Sequence, residues 1–204
     1  VQLSALRSQM NPHFIFNSLN SINNFIIKND SHAASDYLTK FSRLIRLILD
    51  NSKNEKITLA KEIETLKLYL LIESVRLNNK FKYHIDIDQK VDAEHTLIPP
   101  TTIQPFVENA IWHGIMHLNN QGKLVISIKV QNEKEILITI DDNGVGRVKS
   151  NELNTKPVEH RSHGVNITLS RIMQHHPKNN IHIEDKYNEK GEPAGTMVSI
   201  LLHF

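Results

Sequence analysis

The sequence predicts an α+β protein in which a helical hairpin precedes an α/β sandwich. Apolar residues recur at three-to-four spacing up to about Leu77, which is the period of an amphipathic helix. Beyond it, FKYHIDID (81–88) alternates apolar and polar residues with period two, as a half-buried strand does. The later helices do not alternate strictly with strands, which favours helices on one face of a sheet. We therefore predict a helical dimerisation region over 1–78 and a sandwich domain over 79–204.

The helical region contains three predicted helices. The first ends at the break KNDS (28–31), where Ser31 is the expected N-cap of the second. The second ends in the polar loop DNSKNEK (50–56), and Thr58 caps a third helix that runs to about Leu77. A helical hairpin of this size buries too little surface alone, so dimerisation into a bundle is expected to complete it.

The second region is predicted to mix strands with two helices. Pro99-Pro100 stiffens the entry to a helix at about 102–116, and a polar loop over 147–162 precedes a helix at about 163–175. The further strands are predicted at KLVISIKV (123–130), EILITID (135–141), IHIED (181–185) and TMVSILLHF (196–204).

Composition excludes several classes of protein. There is no cysteine, so disulfides and thiolate metal sites are absent. The formal net charge is +2 with no concentrated basic tract, so nothing indicates nucleic acid as a direct ligand. The longest apolar runs, such as LYLLI (68–72), are too short to span a bilayer, and no signal peptide is visible. Because the chain begins at Val1 inside a helical pattern, we expect a fragment of a longer protein.

The stretch QMNPHFIFNSLNSI (9–22) surrounds a histidine with amides on a predicted helix. The residues that share one helical face are His13, Asn17, Asn20 and Asn24. A neutral imidazole nitrogen can attack phosphorus, and the amides can orient the ring. Pro12 removes a backbone donor and is expected to bend the helix. The alternative is an asparagine-rich solvated face with an incidental histidine.

The stretch PFVENAIWHGI (105–115) places two polar residues in an otherwise apolar helix. Glu108 and Asn109 follow a run that packs on the sheet, with Trp112 and His113 expected near Asn109. A side-chain amide oxygen is a hard ligand that suits magnesium. The alternative is that Glu108 and Asn109 simply face solvent.

The stretch DDNGVG (141–146) follows a predicted strand. Asp-x-Gly-x-Gly makes a tight turn with close backbone access, and Asp142 there can accept a hydrogen bond from an exocyclic amine such as that of adenine. The alternative is an ordinary hairpin turn, for which Asp-Asn-Gly is well suited.

The stretch SHGVNITLSRI (162–172) places Gly164 at the start of a helix after a long polar loop. Helix N-termini bind phosphate through their unpaired N–H groups and the helix dipole. The alternative is a glycine near an ordinary helix start.

The order of these motifs resembles one family, the LytS/YehU-type sensor histidine kinases. These pair a helical phosphoacceptor region with a Bergerat-type ATP-binding domain of the GHKL superfamily. NPHFIFNSLNSI (11–22) is the most specific part of the resemblance. LYLLIESVR (68–76) resembles the family's third helix, and IPPTTIQPFVENAIWHGI (98–115) resembles its N-box region.

The resemblance implies a role for each residue that matches a family motif. His13 is implied as the phosphoaccepting histidine, and Asn109 as the ligand of the magnesium ion that bridges the ATP phosphates. Glu108 is a candidate general base by analogy with GHKL ATPases, in which this glutamate activates water. The family often has a basic residue where this chain has Trp112, which leaves His113 as the nearby polar group.

The residues implied to bind adenine lie at the end of the strand EILITID (135–141) and in the strand TMVSILLHF (196–204). Asp142 is implied to bind the adenine amine, with Gly144 and Gly146 shaping the turn. Thr196 is implied to lie on the strand under the adenine.

The implied ATP lid covers 147–162, and Gly164 begins the helix that follows it. In the family this motif resembles GxGLxN, whereas here Ser162 replaces the first glycine and Ile167 the asparagine. Fewer glycines restrict the approach of the backbone to phosphate.

The function implied by the resemblance is ATP- and Mg²⁺-dependent autophosphorylation of His13, followed by transfer to an aspartate of a response regulator, often of the LytTR type. The protein is then a homodimeric phosphoprotein, the cytoplasmic part of a bacterial inner-membrane sensor whose membrane segments lie upstream of Val1. Two alternatives remain: a nucleotide-binding module with weak or lost kinase activity, and a GHKL-type ATPase.

Overall fold

The computed structural model describes residues 12–147, 150 and 168–203. Within these residues, helices pack beside a five-stranded sheet, which confirms the predicted α+β class. The helices are α1 (Pro12–Ile27), α2 (Ser31–Asn51), α3 (Leu59–Arg76), α4 (Gln104–Asn109) and α5 (168–175). The strands are β1 (Ile57–Thr58), β2 (Phe81–Ile87), β3 (Leu97–Ile98), β4 (Gly122–Asn132), β5 (Glu135–Asp142), β6 (Asn180–Tyr187) and β7 (Pro193–His203).

Local capping chemistry sets the starts of the two long helices. Thr58 caps α3 as predicted, because its hydroxyl accepts the N–H of Lys61 at 3.3 Å. The cap of α2 is Asp30, whose carboxylate accepts the N–H of Ala33 at 3.0 Å, so the prediction of Ser31 is wrong by one residue. Aspartate and serine cap equally well, so residue type does not distinguish the two positions. The helix begins one residue earlier than predicted, and Ser31 is its first helical residue.

The large sheet has the strand order β2-β4-β5-β7-β6. The β2–β4 pair is parallel and the other three pairs are antiparallel. Alternate residues of the central strands, including Ile126, Ile138 and Ile200, are buried and form the core with the helices. In the β5–β7 register Asp142 lies opposite Thr196, so two residues predicted for one site share a face of the sheet.

A second, two-stranded sheet was not predicted. β1 pairs with β3, and the N–H of Leu59 at the start of α3 donates to the carbonyl of Thr96 at 2.8 Å. Strands of two residues are too short to show a period in the sequence. This ladder joins segments on both sides of residue 78, and the division of the chain there stays a prediction.

The helix predicted at about 102–116 begins later and is irregular. Thr101 has a φ of 59°, in the left-handed region, so a right-handed helix cannot run through it, and α4 starts at Gln104. The helix then widens into a π-helical turn over Ala110–Gly114 and ends in a 3₁₀ turn over Ile115–His117. Such π segments are frequent at functional sites.

Several predictions fall at the edges of the described residues. Residues 146, 147 and 150 are helical, whereas the sequence predicts a polar loop from 147. Gly164, Ser162, Ile167 and the rest of the implied lid lie outside the described residues, as does the chain before Pro12 that would show a bend. His13 lies in α1, but its side chain is outside the described part of the structure. Among the helices that the structure describes, none has the length and apolar content to cross a membrane.

Candidate functional site

Two glycines bring the helical segment after Asn109 against the turn after Asp142. A Cβ at Gly144 would lie 2.4 Å from the Cα of Gly114, so the two backbones are in direct contact. The N–H of Val145 also donates to the carbonyl of Gly114 at 3.3 Å. The motifs ENAIWHG (108–114) and DDNGVG (141–146), which are far apart in sequence, therefore meet at one place.

Asp142 lies buried at this meeting point. Its Oδ1 accepts the N–H of Gly144 at 2.7 Å. Burial raises the pKa of Asp142 to about 6, although the backbone of Gly144, the charge of Lys186 and the backbone of Thr196 oppose the shift. An ionised carboxylate has acceptor sites for several donors, so Asp142 can accept a further hydrogen bond beside the one from Gly144.

Gly195 supports Asp142 from the neighbouring strand. Its φ is 122°, and a Cβ there would lie 2.0 Å from the backbone oxygen of Asp142. Neither Gly195 nor Gly114 was predicted as a site residue. The glycine before TMVSI and the glycine that ends ENAIWHG were the available signals.

Replacing Gly195 with alanine is expected to lower the free energy of unfolding by about 2–5 kcal/mol, because backbone strain and a backbone clash add. Gly191→Ala is the matched control: its φ is 76° but nothing lies within 4 Å, so we expect a loss of about 1–2 kcal/mol from strain alone. Urea denaturation measures both. Equal losses in the two variants would show that the contact with Asp142 does not matter.

Ion pairs attach the end of β5 and the turn after it to strand β6. The guanidinium of Arg147 donates to both carboxylate oxygens of Asp185, at 2.9 and 2.7 Å. Lys186 forms an ion pair with Asp141. Gly146 lies between Asp141 and Arg147 in the sequence. Its φ is 75°, and a Cβ there would lie 2.9 Å from the Cβ of Pro193. Gly146 therefore shapes this turn, and its contact with nucleotide stays a prediction.

Glu108 is half-buried and does not simply face solvent. It accepts a hydrogen bond from Nε2 of Gln104 at 2.9 Å. The residue keeps some exposed surface, but protein encloses its carboxyl, and this desolvation raises the pKa of Glu108 to about 7, with a further contribution from the charge of Glu73. A carboxyl with a pKa near neutrality can hold or release a proton under ordinary conditions.

Asn109 is the last residue of α4, where the helix widens, and it is half-buried. His113 lies one turn further along and is also half-buried. The Trp112 ring lies under the guanidinium of Arg76 at 4.2 Å from its centroid, and Arg76 pairs with Glu73. Arg76 of α3 therefore places a positive charge over Trp112, the position at which the family often has a basic residue.

Phe14 connects the helix that carries His13 to this region. Phe14 is buried and packs on Tyr69 of α3, with ring centroids 5.3 Å apart. The pKa of Tyr69 is raised by burial and by the charges of Glu108 and Glu73. Tyr69 therefore contacts Phe14 and lies within electrostatic range of Glu108. On the helix that carries His13, Asn20 and Asn24 are exposed, which agrees with both interpretations of their shared face.

The chemistry of these residues fits ATP with Mg²⁺. Asp142 supplies a buried acceptor for an amine, and Gly114 and Gly144 allow two backbone segments to approach each other closely beside it. Asn109 supplies an amide oxygen of the kind that Mg²⁺ accepts. Which of the predicted residues contact nucleotide stays a prediction.

Comparison with known proteins finds relatives of this chain among sensor kinases. Residues 1–81 match the histidine kinase family model. The chain is 38% identical over 147 residues to the sensor protein LytS of Staphylococcus haemolyticus, covering 71% of this chain and 24% of that protein. It is 36% identical over 159 residues to the sensor histidine kinase YpdA of Escherichia coli, covering 74% and 27%.

The fold also matches the histidine kinase domain of the blue-light activated histidine kinase from Erythrobacter litoralis, with a TM-score of 0.52 at 14% identity over 99% of this chain and 90% of that one. The fold is thus that of a histidine kinase. The chain belongs to the LytS/YehU-type sensor histidine kinases. It spans about a quarter of the length of these curated relatives.

Proposed function

We propose that this chain is a kinase core that transfers the γ-phosphoryl group of ATP to His13. The observation that carries the proposal is the contact between Gly114 and Gly144, which brings the helix of Asn109 to the turn of Asp142. A site for the phosphate end and a site for the adenine end of one nucleotide are then adjacent.

The proposed chemistry assigns each residue one task. Asp142 accepts a hydrogen bond from the adenine amine, and Thr196 lies opposite Asp142 in the sheet. Asn109 would contribute an oxygen to Mg²⁺, and the bound ion would neutralise phosphate charge. A ring nitrogen of His13 attacks the γ-phosphorus, the bond to the β–γ bridging oxygen breaks, and ADP leaves. Glu108, with its pKa of about 7, is suited to receive the imidazole proton.

Incubation with γ-labelled ATP and Mg²⁺ tests this function. A phosphohistidine is expected to lose its label in acid and keep it in alkali. Release of phosphate without a labelled protein would instead support the GHKL-type ATPase. Nucleotide binding with neither label nor release would support the binding module.

Asn109→Ala is expected to remove most of the gain in nucleotide affinity that Mg²⁺ provides, and to leave magnesium-free ADP binding within about twofold. The amide is the proposed metal ligand, and a lost ligand interaction is worth roughly tenfold in affinity. Calorimetric titration of ADP with and without Mg²⁺ measures this. Asn120→Ala, at an exposed position, is the control. An equal loss in both conditions would assign Asn109 a structural role.

We further propose that the protein acts as a homodimer through α1 and α2. Apolar side chains on these helices remain exposed in the single chain, including Phe16 at 66% and Ile27 at 69%. Leu19, Ile26 and Leu38 are also exposed. A second copy covering these residues would form the bundle that the helical hairpin needs.

The remaining proposals rest on family membership. The phosphoryl group passes to an aspartate of a response regulator. The regulator proposed as partner is of the LytTR type. The chain is the cytoplasmic part of a sensor anchored by membrane segments elsewhere in the protein. Mixing labelled protein with a candidate regulator tests the first point by transfer of label.

A further inference from the structure

A turn before α4 is held in a strained shape by two charged side chains. Thr101 has a φ of 59°, which is unusual for a β-branched residue and costs free energy. The prolines before it, Pro99 and Pro100, are buried. We call residues 99–103 the Thr101 turn. Such a backbone persists only where its surroundings hold it.

Glu62 of α3 binds the donors of the Thr101 turn. Its Oε2 accepts the N–H of Thr101 at 3.0 Å, and its Oε1 accepts the N–H of Ile103 at 2.9 Å. Glu62 is buried, and this burial raises its pKa while the backbone donors oppose the shift. Both carboxylate oxygens therefore serve the turn that leads into α4.

Arg171 of α5 binds the acceptors of the same turn. Its guanidinium donates to the carbonyl of Pro100 and to the hydroxyl of Thr101, each at 2.9 Å. Arg171 is half-buried on the helix 168–175. The turn's donors thus go to α3 and its acceptors to α5, so three segments that are distant in sequence meet at one strained residue.

We propose that Glu62 and Arg171 are positioning residues that fix Asn109 relative to α3 and α5 through the Thr101 turn. The chain from Gln104 to Asn109 is one continuous helix, so a shift of the turn moves Asn109 with it. Asp142 and Thr196 are held separately by the β5–β7 ladder. Loss of the hydrogen bonds from Glu62 or Arg171 to the Thr101 turn is therefore expected to affect magnesium-dependent binding more than adenine recognition. The inference rests on the proposed function of Asn109.

Glu62→Gln tests the inference, with Glu64→Gln as the matched control. Glutamine has the same shape, but its NH₂ group would face a backbone donor. Glu64 lies on the same helix in an exposed pair with Arg43. The gain in ADP affinity on adding Mg²⁺ is expected to fall about tenfold in Glu62→Gln and to stay unchanged in the control. Magnesium-free affinity is expected to stay within about twofold in both variants.

A rescue variant separates positioning from general stability. Glycine adopts positive φ without strain, so Thr101→Gly reduces the turn's need for Glu62. The double variant with Glu62→Gln keeps the bond from Arg171 to the carbonyl of Pro100 but loses the one to the Thr101 hydroxyl, so it is expected to recover part of the magnesium-dependent gain. Arg171→Met is expected to reduce that gain, and Arg171→Lys to reduce it less, because lysine keeps a donor.

The outcomes separate the inference from the proposed function. If Glu62→Gln lowers only the melting temperature and keeps the wild-type gain with Mg²⁺, the inference is overturned and the proposed function stands. If the wild-type protein binds no nucleotide, both fall. If Glu62→Gln does not fold, Arg171→Met decides, since it loosens the same turn from the other side, and an unchanged gain there overturns the inference.

Discussion

His13→Gln is expected to abolish phosphorylation of the protein while leaving ATP affinity within about twofold of the wild type. Glutamine is polar and a fair helix former, so α1 should be retained. It has no nucleophilic ring nitrogen and cannot form the phosphoramidate. The nucleotide residues proposed here, Asn109 and Asp142, lie on other elements, α4 and β5. Incubation with γ-labelled ATP and a calorimetric titration measure the two effects.

His32→Gln is the matched control for this experiment. His32 lies on α2 and is exposed, so it tests whether any accessible histidine takes up label. We expect its labelling to equal that of the wild type. Label that persists in His13→Gln, or that survives acid in the wild type, would falsify the assignment of His13.

Asp142→Asn is expected to weaken ATP binding by roughly tenfold to a hundredfold, because one hydrogen bond to a charged group, worth about 1.5–3 kcal/mol, is lost. The amide can also present a donor to the adenine amine. Titration with a non-hydrolysable ATP analogue measures the effect. Asp141→Asn is the control, since Asp141 is the neighbouring carboxylate and pairs with Lys186. Unchanged affinity in a folded Asp142→Asn protein would remove Asp142 from the site.

The same variant is expected to change how stability depends on pH. The pKa of Asp142 is raised to about 6 in the folded protein, above the ordinary value of 3.8. Between these values the folded state binds more protons than the unfolded state, so this group's contribution to stability falls as pH rises from about 4 to about 6. The total loss is on the order of 2–3 kcal/mol. Denaturation at several pH values should show this slope in the wild type and not in Asp142→Asn.

The sequence by itself determined the class of fold and the place of most elements. The three-to-four spacing before Leu77 and the alternation after it were sufficient for helices and strands, because both periods arise from neighbouring residues in one chain segment. Thr58 was identified as a cap for the same reason, since its partner Lys61 is three residues away. The site motifs were also recognisable from the sequence, because their glycines and polar residues differ from the apolar residues next to them.

Tertiary structure decided how these pieces meet. The contact of Gly114 with Gly144, and of Gly195 with Asp142, depends on the packing of a helix and two strands that no local pattern records. The role of Glu62 could not be read either, because its partner Thr101 is 39 residues away and the strain at Thr101 exists only in the fold. Such contacts arise from packing and burial of distant segments, and those energies depend on the assembled structure rather than on spacing along the chain.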